Sequence, residues 1–207
     1  MPLVDLPRPP REPPPPRSIR RFIREANRRI ERFRRDCHVP AFVPSDFAGA
    51  YAALSFLDES GCLSGNSFCE WGSGFGVTTC LAAMLGFRAT GIEIDGELVD
   101  AARSLAEDYG IEAEFARGSF IPAGADDFVD AASECAWLSS VAGGGHEALG
   151  LDPDDFDVIF AYPWPDEECL TAALFERYAR AGAVLLTDHE VGGLRLRRRR
   201  RTERVTR

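Results

Sequence analysis

The chain is built from two hydrophobic periods that take turns. Short apolar runs at Phe68–Cys69, Ala89–Ile94, Ile111–Ala116, Phe156–Ala161 and Ala183–Thr187 read as buried strands. Between them the apolar residues recur three and four apart, which predicts helices. Phe47, Tyr51, Leu54 and Leu57 form one stripe; Leu98, Val99, Ala102, Leu105, Ala106 and Tyr109 form another; Leu170, Leu174, Phe175 and Tyr178 form a third. The small and apolar segment Val77–Leu85 fills the first crossover. Strands alternating with helices predict an α/β protein with a Rossmann-like, doubly wound, mostly parallel sheet. With these strands numbered in sequence, the expected spatial order is 3-2-1-4-5.

Helix ends follow from local punctuation. Ser18 and Ser45 are N-cap candidates, with Asp46 in the first turn after Ser45. Gly110 and Gly182 close helices. Phe128–Val141 reads as a helix broken by Gly143–Gly145, and His146 as a loop residue at the surface. After the fifth strand only residues 192–207 remain. Leu194–Leu196 can start one short edge strand and Arg204–Thr206 part of another, so that edge of the sheet is expected to be short or truncated.

Charge changes this picture at both ends. The net charge of −9 hides an asymmetry, and all 24 basic residues are Arg. Residues 1–36 carry 11 Arg against 5 acids, residues 195–207 carry 8 Arg against 1, and the body between carries 5 Arg against 27 acids. Eight of the fourteen prolines lie in residues 1–17, which predicts a disordered or polyproline II tail. Residues 18–44 read as a basic amphipathic helix, with Ile19, Phe22, Ile23, Ala26, Ile30 and Phe33 on one face, followed by a linker. Residues 45–194 form the main domain, and 195–207 an Arg-rich tail or edge strand. The helix suits either phosphate contact or pairing with the acidic body; the charge of that body favours pairing. The Arg-rich ends also suit a nucleic acid or an acidic partner.

No apolar run reaches 18 residues and no apolar h-region opens the chain, so neither a membrane span nor a signal peptide is expected. Six scattered cysteines contain no CxxC pair, which argues against zinc. Asp152, Asp154 and Asp155 are spaced as a solvated turn rather than a cation site, and no metal is expected. Reduced thiols and a cytoplasmic location are the simplest account.

The candidate chemistry lies in Phe68–Asp95. A strand ends at Glu70, glycines follow at 72, 74 and 76, a helix runs from Val77, and a second strand carries Glu93 near its tip. Glycines let a ligand approach the backbone, and a helix N-terminus beside them offers unpaired N–H groups. A carboxylate about 20 residues on can accept both hydroxyls of a ribose. A dinucleotide site wants G-x-G-x-x-G, but the third glycine's place holds Val77, and the pattern is E-x-G-x-G-x-G.

That pattern resembles motif I of the class I S-adenosylmethionine (SAM) methyltransferases. Over roughly residues 43–120, the Pro-Ser-containing helix, the spacer, the E-x-G-S-G loop and the GIE strand resemble the small FAM173-type and DOT1-like protein lysine methyltransferases. The resemblance implies SAM as cofactor, with Gly72, Ser73, Gly74 and Gly76 under its amino acid and ribose. It further implies Glu70 orienting the amino group through water, Glu93 on the ribose hydroxyls and Ile94 packed on adenine. Ser119 stands where many such enzymes carry an acid for the adenine amino group, and Phe120 suits either adenine stacking or the core. Tyr162–Glu168 resembles the D/N-P-P-Y/F motif of amino-methylating enzymes without its leading Asp or Asn. Tyr162 and Trp164 are candidate walls of the acceptor channel. His189, at the tip of the fifth strand, is a candidate proton acceptor or a structural partner of its acidic neighbours.

The expected function is SAM-dependent methyl transfer to an amine, either a protein lysine or a small molecule. Alternatives are an RNA methyltransferase, a catalytically weak SAM-binding interaction module, and an NAD(P)-binding Rossmann protein.

Overall fold

In the computed structural model, residues 3–7, 14–37, 42–125, 144–189 and 193–200 are described. Five parallel strands form the centre of the sheet: β2 (Ser67–Trp71), β3 (Arg88–Glu93), β4 (Ala113–Arg117), β5 (Val158–Ala161) and β6 (Val184–Thr187). Their order, β4-β3-β2-β5-β6, is the expected 3-2-1-4-5. The register runs through Glu70, which lies opposite Gly91 on one side and Phe160 on the other. Crossovers are α3 (Val77–Met84) between β2 and β3, α4 (Gly96–Tyr109) between β3 and β4, and α6 (Glu168–Tyr178) between β5 and β6. A short helix, α5 (Gly145–Leu149), packs beside β3 and β4.

Alternation along each strand divides the core between the two faces. Phe68, Phe160 and Leu186 meet α2 (Phe47–Glu59), while Cys69, Trp71, Ile159 and Leu185 point the other way toward α6. The helix α1 (Arg17–Asp36) buries Ile19, Phe22, Ala26 and Ile30 against α3 and α4. Burying one such side chain is worth about 1.5–3 kcal/mol, so this stripe anchors the helix. Cys69 and Cys80 are buried, and burial pushes both thiols up to about 12.

The far edge, expected to be short or truncated, carries two short antiparallel strands among the described residues. Beside β6 runs β7 (Arg195–Arg199), antiparallel, and beyond it β1 (Leu3–Asp5), also antiparallel, giving seven strands. The N-terminal segment expected to be disordered therefore supplies the outermost strand. It is three residues long and an edge strand, the position where neighbouring prolines do least harm. Arg195 clamps Asp5 with Nε–Oδ1 at 2.9 Å and Nη2–Oδ2 at 3.2 Å. The arginine run is strand, not tail, through Arg199: Leu196 is buried toward α2, and Arg198 donates to the Cys62 carbonyl at 3.1 Å. Arg204–Thr206 and Phe128–Val141 lie outside the described residues.

Caps differ from expectation by one or two residues. Helix α1 starts at Arg17 after Pro16, which leaves Ser18 within its first turn. Asp46, not Ser45, caps α2, accepting the Gly49 N–H at 3.0 Å. Asp152 and Asp155 cap their own short turn, with the Asp152 N–H bonding Asp155 Oδ2 at 2.8 Å. Among the described residues no helix is long and apolar enough to cross a membrane.

Candidate functional site

At the carboxyl ends of β2, β3, β4 and β5 lies a cleft of about 330 Å³, where open α/β sheets hold ligands. Its floor is the glycine loop. Gly72, Gly74 and Gly76 have φ of +72°, +51° and +69°, a left-handed region that side chains rarely adopt. The Gly72 and Ser73 amides both donate to the Ile92 carbonyl at 2.9 Å, which ties the loop to β3. The third glycine is also a packing requirement: a Cβ on Gly76 would lie 2.5 Å from Phe115 and 2.7 Å from Ala102.

Glu70 projects from β2 toward the first turn of α3. Gly76 at the N-cap has no side chain to offer, and Glu70 supplies the cap from the strand. Its Oε2 accepts the Thr79 N–H at 2.8 Å and the Thr79 hydroxyl at 2.5 Å. Burial pushes the carboxyl up to about 8, against the pull of those hydrogen bonds.

Glu93 binds the same loop from the tip of β3. Its Oε2 accepts the Gly74 N–H at 2.7 Å and its Oε1 the Asp95 N–H at 3.0 Å. Burial raises its pKa above the ordinary carboxylate range. A carboxylate offers about four lone-pair sites, so two amides leave acceptor capacity for hydroxyls. Asp95 in turn caps α4 through the Glu97 and Leu98 amides.

The remaining walls come from four places. Ile94, Ser119 and Phe120 line the β3–β4 side. Ser119 Oγ accepts the Ile121 N–H at 3.2 Å, and Phe120 stacks on Trp71 at 5.3 Å with 8° between the planes. Tyr162, Pro163 and Trp164 line the β5 side. There the Glu167 N–H donates to the Trp164 carbonyl at 2.8 Å, and Glu167 Oε2 accepts the Trp164 N–H at 3.3 Å. Phe42 covers the glycine loop, stacked on Phe75, which Phe33 of α1 meets edge-on. The cleft thus gathers Glu70, Gly72, Ser73, Gly74, Glu93, Ile94, Ser119, Phe120, Tyr162 and Trp164. Gly76 shapes the loop from beneath.

His189 does not join them. Its Nε2 lies 2.8 Å from Thr187 Oγ1 and its Nδ1 2.9 Å from Glu168 Oε1, a bridge between β6 and α6 outside the cleft lining. Neighbouring Asp188 accepts the Asp46 N–H at 2.8 Å and pins α2 to the end of β6. His146, expected at the surface, is buried beside Trp71 and Phe156, and burial lowers its pKa.

Trp71, Glu167 and Thr171 line the cleft and were not singled out by sequence. Trp71 was legible from strand alternation, because it must face opposite to Glu70. Glu167 was hidden among three consecutive acids at a helix start, where solvated carboxylates are common.

The electrostatics are one-sided. Glu70, Glu93, Asp95 and Glu167 line the cleft, and among the described residues no Arg or His does. Two buried polar atoms of lining residues, Ser73 Oγ and Trp71 Nε1, find no partner among the described residues.

This architecture and cleft define a class I methyltransferase fold. It superposes on an O-methyltransferase from Bacillus cereus in complex with SAH with a TM-score of 0.51, at 18% identity over 84% of this chain and 67% of that one. It superposes likewise on an SAH-bound methyltransferase from Podospora anserina with a TM-score of 0.53, at 14% identity over 86% of this chain and 64% of that one. The chain therefore spans about two thirds of the length of these structural neighbours. No family model and no curated protein matches it.

Proposed function

We propose that the chain is a SAM-dependent methyltransferase acting on an amine acceptor. The carrying observation is the acidic lining of the cleft: Glu93, Asp95 and Glu167, with no Arg or His among the described lining residues, and a glycine loop held by Glu93. A dinucleotide would bring a pyrophosphate into that field. SAM brings a sulfonium and an ammonium, and the field favours both. Its sulfonium supplies a methyl group already activated for transfer.

The residues fit that cofactor on their own chemistry. Glu93 has acceptor capacity left for ribose hydroxyls. Ser73 Oγ and Trp71 Nε1 are buried polar atoms without a partner among the described residues, a state that costs about 1–3 kcal/mol each until satisfied. Ile94 and Phe120 offer apolar surface for an adenine. Tyr162 and Trp164 wall the end of the cleft past β5, where an acceptor would enter. Such positioning, with water excluded, can supply roughly 7–11 kcal/mol of the barrier. The FAM173-type and DOT1-like resemblance supports a lysine among amine acceptors.

An RNA acceptor is the second reading, favoured by α1. Arg20, Arg21, Arg24, Arg32, Arg34 and Arg35 are exposed on it, and among the described residues only Arg29 bridges to the body, at 2.7 Å from Asp108. An interaction module that binds SAM without turnover is the third.

Calorimetry with SAH and with NAD tests the cofactor. SAH binding without NAD binding is expected, and the reverse would reassign the cleft. Transfer of a tritiated methyl group from SAM into protein, RNA or small-molecule fractions then separates enzyme from module and names the acceptor class.

A further inference from the structure

We infer that α1 and the groove along its flank bind a single-stranded nucleic acid, with phosphates on an arginine ridge and a base in the groove. The inference does not rest on the methyltransferase reading. It concerns a surface distinct from the cleft, and it holds whichever acceptor the cleft takes.

Arg17, Arg21, Arg24, Arg28, Arg32 and Arg35 recur three and four residues apart, so they fall on one line along α1. Ile19, Phe22, Ala26 and Ile30 recur in the same way on the opposite side, where they are buried. All six arginines are exposed. The ridge from Arg17 to Arg35 is about 27 Å long, at about 1.5 Å per residue. Like charges at these spacings repel one another and weaken a helix. The fold does little to offset that repulsion. Among the described residues only Glu25 reaches the ridge, with its Oε2 3.7 Å from Arg28 Nη1. Asp108 of the body is taken by Arg29, which lies off the line. A row of phosphates offsets the repulsion along the whole ridge, and guanidinium forks match phosphate oxygens.

A charged ridge alone suits any polyanion; the groove narrows the class. Between α1 and α4, beside the ridge, lies a depression of about 290 Å³. Phe33, Phe75 and Ala101 give it apolar walls, while Arg32, Asp36 and Ser104 give it polar groups. Arg32 thus belongs to both the ridge and the groove. Phe33 is only partly buried, and its ring is held edge-on to Phe75 at 5.6 Å. An unpaired base stacks on such a fixed ring while a phosphate of the same strand meets Arg32. Asp36 and Ser104 can accept hydrogen bonds from a base's amino group. A duplex keeps its bases within the stack and cannot fill the groove. An acidic polypeptide brings charge without a flat ring at each step. Phe75 lines both the groove and the cleft, so a strand on α1 passes beside the glycine loop.

The test is fluorescence anisotropy of the full chain, without SAM or SAH, against labelled single strands of about 10 nucleotides in ribo and deoxyribo form. Both should bind, the tighter naming the natural source, with a log–log salt slope of about −4 for six phosphates. Arg21→Gln, Arg24→Gln and Arg28→Gln together should shrink that slope by about 2. Abasic strands of the same length should bind the native protein about tenfold more weakly, the loss of one stacked base. Phe33→Leu should abolish the difference between base-bearing and abasic strands and leave the salt slope unchanged. Ala101→Leu, which fills the groove from α4, should do the same, and it decides the matter if Phe33→Leu does not fold. Equal binding of base-bearing and abasic strands to the native protein would overturn the groove. An unchanged slope in the triple variant would overturn the ridge. Tighter binding of duplex, or equal binding of a polyglutamate of the same charge, would overturn the choice of partner. SAH binding is read separately, so the methyltransferase reading stands or falls on its own.

Discussion

The two ends of the cleft are built on different principles. At the β2–β3 end, backbone does the work: three left-handed glycines, amides aimed at carbonyls, and two carboxylates that hold the loop and the α3 turn in place. At the β5 end, side chains do it: two aromatics, Pro163 and Glu167. Backbone geometry tolerates few substitutions, because φ near +60° and a close approach exclude most residues. A wall of side chains tolerates many. The first end should therefore fail through folding and cofactor affinity, and the second through acceptor choice.

The sharpest way to break this contrast is within the loop itself. Gly76→Ala combines a strained φ with a Cβ 2.5 Å from Phe115, in a wall that cannot give. A loss of roughly 2–4 kcal/mol is expected, read from the urea midpoint. Gly72→Ala carries the same kind of φ but meets nothing within 4 Å, and should cost about 1–2 kcal/mol. Equal costs would show that packing beneath the loop is unimportant.

Next in size is Glu93→Ala. Its carboxylate bonds the Gly74 and Asp95 amides and faces the cleft, so both loop order and ribose contact depend on it. SAH affinity should fall about 100-fold, equivalent to about 2.7 kcal/mol. Unaltered affinity would remove the ligand from this end of the cleft.

Glu70 gives an effect spread over pH, with a definite sign. Its carboxyl is held at about 8 in the fold against an ordinary 4.5. The unfolded chain therefore releases this proton first as pH rises. The stabilising contribution is whole below pH 4.5 and is lost between there and about 8, at up to about 1.4 kcal/mol per pH unit. Glu93 and Asp188, both raised by burial, act in the same direction, while the lowered pKa of His146 opposes them. Glu70→Gln should flatten the fall in urea midpoint between pH 5 and 8. An undiminished slope would mean the proton resides elsewhere.

The same contrast explains what sequence could reveal. Helix α3 and its flanking strands were legible because glycine spacing, Glu70 and Glu93 each report a local requirement. The full seven-strand edge was not, because β1 is three residues set among prolines and finds its partner, Arg197–Arg199, at the far end of the chain. Arg195–Arg199 looks like a tail by charge; only its neighbours, which bury Leu196 and cover the arginine stems, make it a strand. His189 was sought at the cleft because it lies at a strand tip. Its ring instead turns to Thr187 and Glu168, a direction that depends on α6 and not on any spacing.

The smallest expected effect concerns α1, whose buried stripe and arginine face carry unequal loads. Ile19, Phe22, Ala26 and Ile30 hold the helix to the domain. Arg20, Arg21 and Arg24 are exposed and lie away from those contacts. If packing alone anchors the helix, the triple change of these three to Gln should leave stability within about 0.5 kcal/mol, as surface substitutions usually do. Arg29→Ala, which removes the 2.7 Å bridge to partly exposed Asp108, should cost about 0.2–1 kcal/mol. A larger loss for the triple change would mean that the arginines pair diffusely with the acidic body, and would withdraw the reason for bringing RNA to this face. An unchanged stability leaves the face available to a phosphate backbone. Binding of single-stranded RNA should then weaken steeply with salt in the native chain and be lost in the triple variant, without any change in SAH affinity.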